Sequence, residues 1–119
     1  MDQFLYLSGL FDIYGALLTE KQQECLQLHL YEDFSLSEIG EALGISRQAV
    51  YDNIHRAEKA MKSYEAKLGL AARYESERRE LAGIDESIAG LRTEANGAAV
   101  DAVRARLAPL LGREREGLA

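Results

Sequence analysis

The tripeptide Gly44-Ile45-Ser46 interrupts two runs whose apolar residues recur at helical spacing, and this interruption narrows the chain's options more than any other feature. Ahead of it, Ser35 stands three residues before Glu38, a capping box that opens a short helix carrying Leu36, Ile39 and Leu43. Gly44 suits the left-handed conformation that ends a helix, and Ser46 is placed to cap the next one. In that next helix Val50, Ile54, Ala57 and Met61 follow at four-, three- and four-residue steps and define one core-facing stripe. Two helices joined by so short a turn need a small residue at their closest approach, an apolar plug in the turn and a cap on the second helix. Ala42 or Gly40, Ile45 and Ser46 meet these needs. The segment Ser35 to Lys62 therefore reads as a helix-turn-helix.

The rest of the chain also favours helix. There is one proline and no tryptophan in 119 residues, and the abundant Ala, Leu, Glu and Arg lose little rotamer freedom on a helix. The length accommodates one small domain with an appendage and excludes a two-domain enzyme. From Phe4 to Leu18 the apolar residues recur at three- and four-residue steps, which predicts a first helix. Thr19 with Gln22 forms a capping box for a second, running to about Tyr31. Beyond Gly69 lysine gives way entirely to arginine. Tyr74, Leu81 and Ile88 are spaced by seven, as are Ile84 and Leu91, a seam suited to packing on another helix. Asn96-Gly97 marks a turn, and Val100, Val103, Leu107 and Leu110 make a further stripe that frays after about Leu111. The expected organisation is all-α, with a helix plus helix-turn-helix domain over 1–68 and a C-terminal helical hairpin over 69–119.

The first helix is more apolar than one buried stripe requires, with Leu5, Leu10 and Leu17 left over. A homodimer built on Phe4, Leu7, Phe11 and Tyr14, aided by Leu81 and Ile88 of the tail seam, would cover it and present two recognition helices to two half-sites. The alternative is a tail that folds back over helix one within a single chain.

Charge separates the candidate site from its surroundings. The formal net charge is -6, which argues against coating a polyanion by bulk attraction, so any contact with nucleic acid has to come from a patch. At about 100° per residue, the side of the second motif helix opposite the core stripe carries Gln48, Tyr51, Asp52, His55, Lys59 and Lys62, flanked by Arg47 and Arg56. Between Arg47 and Lys62 four cations face only Asp52 and Glu58. Gln48 can pair with adenine, the arginines with guanine or phosphate, and the lysines with phosphate, whereas Asp52 repels phosphate and could accept from a cytosine amino group.

The run LTEKQQECLQLHLYEDFSLSEIGEALGISRQAVYDNIHRAEKAMKSYE, from Leu18, resembles region four of bacterial sigma factors. Within that superfamily the opening helix, LLTEKQ at Leu17–Gln22 and SRQAVYDNIHRAEK at Ser46–Lys59 are similar to the small YlxM family of helix-turn-helix proteins. The resemblance covers roughly residues 4–70. It implies a sigma-region-four-like helical fold, self-association and a role in the signal recognition particle pathway. By position it also implies nucleic-acid contacts at Arg47, Gln48, Tyr51, His55, Arg56 and Lys59, with DNA and the particle's RNA both open as ligands.

Other chemistry is excluded or unsupported. Cys25 and His29 share a helix face at metal-ligand spacing, but no further ligands stand nearby, and core packing is the better reading of Cys25. His55 lacks a nucleophile or carboxylate partner in a triad-like context, and no glycine-rich phosphate loop occurs. No enzyme, cofactor or metal site is expected. The single cysteine fits a reducing compartment, and the opening residues fit neither a secretory signal nor a membrane span, so the cytoplasm is the expected location. Two functional readings follow: a nucleic-acid-binding regulator, and a protein adaptor that docks on the signal recognition particle GTPase.

Overall fold

A computed structural model describes residues 2–112. They form six α-helices and no strand: α1 (Gln3–Tyr14), α2 (Glu20–Leu30), α3 (Leu36–Leu43), α4 (Arg47–Leu68), α5 (Leu70–Gly90) and α6 (Gly97–Leu111). The chain divides into two compact units, Met1–Gly69 and Leu70–Ala119.

In the first unit α4 packs against α1, α2 and α3, so it is both the structural centre and the bearer of the polar face. Local chemistry explains the helix boundaries. Thr19 Oγ1 accepts from Gln22 N while Gln22 Oε1 accepts from Thr19 N, and Ser35 and Glu38 repeat the exchange at α3. The Ser35 backbone N–H donated to Glu38 Oε1, with the Ser35 hydroxyl beside it, holds the Glu38 carboxyl below the usual carboxylate range. Ser46 Oγ accepts from Ala49 N and opens α4. The first helix is shorter than its apolar pattern predicts: α1 stops at Tyr14 and a 3-10 turn, Gly15–Leu17, follows. The cause is the Thr19 capping box, which requires extended backbone before α2 and leaves only these residues to redirect the chain.

Leu7, Leu10 and Tyr14 from α1 meet Cys25, Leu26 and Leu30 from α2, Ile39 from α3 and the Val50–Ile54–Ala57–Met61 stripe of α4. This core corrects the reading of helix one. Leu10 is fully buried rather than left over, and Leu7 and Tyr14, assigned to a dimer interface, are filled positions of the chain's own core. The reason is that α2 and α4 cover α1 from two directions, so one helix buries a wider face than a single stripe. Leu5 and Leu17 stay exposed, Phe4 is partly exposed and Phe11 is half-buried. Tyr14 is anchored at its polar end, donating from its hydroxyl to Glu65 Oε1 at 2.7 Å, and Tyr31 donates likewise to Asp12 at 2.7 Å; burial, aided by the bond to Asp12, pushes the Tyr31 pKa up.

In the second unit α5 and α6 pack on each other, but the interior is thin. No residue of α5 is buried, and on α6 only Gly97 and Val100 are. Val103 and Leu110, placed in the second apolar stripe, are exposed, and Leu81 and Ile88 are half-buried. Two forked ion pairs link the segments instead. Arg92 Nε and Nη2 each donate to Asp101 at 3.0 Å, and Arg104 donates to Asp85 at 2.9 and 3.2 Å. The α6 helix continues through Pro109 to Leu111, and fraying beyond that point falls outside the described residues.

Candidate nucleic-acid interface

The turn that presents α4 is built from backbone constraints. Gly44 adopts φ 71°, and its N–H and that of Ile45 both donate to the Gly40 carbonyl, closing α3. Of the two small residues offered for the close approach, Gly40 fills the role and the exposed Ala42 does not. A Cβ at position 40 would stand 2.7 Å from the Ile45 carbonyl oxygen. The α3 backbone therefore lies directly against the turn, and the Ser46 cap starts α4 immediately after it.

The outer side of α4 is exposed at Arg47, Gln48, Tyr51, Asp52, His55, Arg56, Lys59 and Lys62. Among the described residues none of Arg47, Arg56, Lys59 and Lys62 has an ion-pair partner. Cations left this way keep their full field for an external anion. Two pairings order the middle of the face. The rings of Tyr51 and His55 lie nearly parallel, 5° apart in plane with centroids 5.9 Å apart. Gln48 Nε2 donates to Asp52 Oδ1 at 3.1 Å. The sequence suggested Asp52 as a residue that repels phosphate or accepts from a cytosine amino group, not as a partner of Gln48; its four-residue spacing from Gln48 was the available signal for this bond. The arrangement offers cations at both ends, an amide and a carboxylate near the start, and aromatic edges between them.

Elsewhere the described residues hold no group of three or more His, Cys, Asp or Glu side chains arranged for a metal ion. Cys25 is fully buried, and burial pushes its thiol pKa up. His29 lies against the Phe4 ring, with Nδ1 buried and unbonded. No described helix is long and apolar enough to cross a membrane.

Comparison with known proteins assigns this geometry to a family. Residues 1–97 match the model of the UPF0122 family, described as "Putative helix-turn-helix protein, YlxM / p13 like". The chain belongs to this family. A UPF0122 protein of Caldanaerobacter subterraneus subsp. tengcongensis is 46% identical over 87 residues, covering 73% of this chain and 74% of the relative. One from Halalkalibacterium halodurans is 46% identical over 88 residues, 74% of this chain and 81% of the relative. One from Latilactobacillus sakei subsp. sakei reaches 55% over 71 residues, 60% of this chain and 63% of the relative. The family match runs past the residue-70 limit of the motif-based resemblance and takes in α5, ending at the first residue of α6.

Proposed function

We propose that this helix-turn-helix protein is a cytoplasmic, non-catalytic regulator that lays α4 in the major groove of duplex DNA. Arg47 and Gln48 lie nearest the base edges, and Arg56, Lys59 and Lys62 grip phosphate. The observation that carries this reading is the set of four cations on one exposed helix face that have no ion-pair partner among the described residues, in a chain of net charge -6. B-form DNA admits an α-helix in its major groove, whereas the deep, narrow groove of A-form RNA does not, which favours DNA over the signal recognition particle RNA as the groove-bound ligand. Binding of genomic DNA fragments and of the particle RNA, followed across a salt series, tests this. With three phosphate contacts, log affinity for DNA falls against log salt with a slope of roughly -2 to -3. A flat salt response, or RNA bound in preference to DNA, would reject the groove reading.

One observation favours a second reading. Asp52 places a carboxylate in the middle of the face and engages Gln48, which suits a protein partner better than a polyanion. In that case the chain is an adaptor for the signal recognition particle GTPase, the setting its YlxM-like sequence suggests. Capture of the purified GTPase in the absence of RNA supports the adaptor. Self-association is part of either proposal, through the exposed Phe4 and Leu5 of α1, Leu17 of the 3-10 turn that follows it, and the Leu81–Ile88 seam of α5. Sedimentation as a 13.2 kDa monomer at micromolar concentration would rule it out.

A further inference from the structure

Gln48 and Asp52 lie one turn apart on the exposed side of α4, joined by the 3.1 Å bond from Gln48 Nε2 to Asp52 Oδ1. An ionised carboxylate only accepts hydrogen bonds, so the amide must direct an N–H toward it, and this fixes which end of the amide is its oxygen. Gln48 Oε1 and the second Asp52 oxygen are then acceptors, and Nε2 keeps one further N–H, held in fixed order beside Oε1, that can meet adenine N7. The start of α4 is thus acceptor-rich between the cations Arg47 and Arg56.

From this we infer that Asp52 is the positioning residue that makes Gln48 select a base carrying an exocyclic amino group. The selected base is adenine or cytosine on the contacted strand of a DNA duplex, with guanine and thymine disfavoured. The inference rests on α4 being the DNA interface. Adenine N6 and cytosine N4 present donors in the major groove, whereas guanine O6 and N7 and thymine O4 present acceptors. An acceptor pressed against an acceptor loses water without gaining a bond, so the wrong base is penalised. Without Asp52 the amide turns freely and can offer N–H to guanine or thymine as readily as oxygen to adenine or cytosine. The carboxylate also repels phosphate, so a single side chain lowers overall affinity while sharpening choice.

These two effects separate experimentally. The full chain is bound to a pool of DNA duplexes randomised at their centre, and the bound and input pools are sequenced. The wild type is expected to enrich adenine or cytosine about ten-fold at one position of the contacted strand, and Gln48→Ala to abolish that enrichment. Asp52→Ala is expected to bind the whole pool more tightly and to lose most of the enrichment. Asp52→Asn, which keeps an acceptor for Gln48 without the charge, binds more tightly and retains it. If Asp52→Ala binds with the wild-type base preference, Asp52 is only a repulsive charge and the inference is overturned. The same follows if the wild type enriches guanine or thymine, or no base, at that position. Should Arg47→Ala and Arg56→Ala leave pool binding unchanged, α4 is not the interface, and the proposed function falls together with this inference.

Discussion

In the second unit, Arg92 and Arg104 each meet an aspartate in a two-pronged ion pair, and Arg73, Arg78 and Arg79 lie against glutamates three or four residues away on the same helix. On α4, Arg47, Arg56, Lys59 and Lys62 have no such partner among the described residues. The same side-chain chemistry holds a fold together in one region and is left open to an external partner in the other. The apolar residues show the opposite contrast. The first unit closes a core with four helices, whereas α5 buries none of its residues, so its hairpin depends more on charge geometry. A positive residue therefore indicates a binding surface only where its neighbours leave it unpaired.

The largest test of this contrast is in the cores. Leu26→Ala, at a fully buried position, is expected to destabilise the first unit by about 2–5 kcal/mol in urea unfolding. Leu81→Ala on α5 should cost a small fraction of that, and equal losses would show that the hairpin has a core of its own. At the turn, Gly40→Ala is expected to cost about 1–3 kcal/mol, because the neighbour at 2.7 Å is backbone and cannot swing aside. Thermal melting measures this, and an unchanged midpoint would mean that α3 does not press on the turn. For binding, Arg56→Ala should weaken DNA affinity by about 1–3 kcal/mol and reduce the salt slope by about 1, with melting unchanged. Arg104→Ala should leave DNA affinity as it was; if both variants weaken binding alike, the paired and unpaired arginines do not differ in function.

The smallest effect is acid sensitivity of the hairpin. The Arg104 guanidinium bonded to Asp85, and that of Arg92 bonded to Asp101, hold both carboxyls below the usual aspartate range. A carboxyl with a depressed folded pKa contributes its stability above the unfolded value, near 4, and loses it as pH falls through the lower folded value. Helicity of the hairpin should hold from neutral pH to about 5 and decline only below about 4. Combining Arg92→Ala with Arg104→Ala should flatten that decline in a circular dichroism titration.

Much of the motif was legible in the sequence. The capping boxes at Thr19 and Ser35, the left-handed Gly44 and the Ser46 cap all depend on residues within a few positions, and helical periodicity correctly separated the buried side of α4 from its exposed side. What escaped were choices among equals. Leu5 and Leu10 are the same residue on the same helix, yet one is 67% exposed and the other fully buried, because only Leu10 points where α2 and α4 converge. Gly40 and Ala42 both answered the need for a small residue, and the path of the Ile45 carbonyl, which leaves no room for a Cβ, selected Gly40.

The sequence by itself thus determined the all-helical architecture, the punctuation of its helices and the composition of the α4 face, because each is governed by contacts between residues one turn apart. Only the tertiary structure decided which part of helix one is core and that Tyr14 is tied to Glu65, 51 positions away. It likewise decided that Arg104 is engaged by Asp85 while Arg56 is not. These outcomes depend on which distant segments meet, and periodicity carries no information about the partner that arrives from elsewhere in the chain.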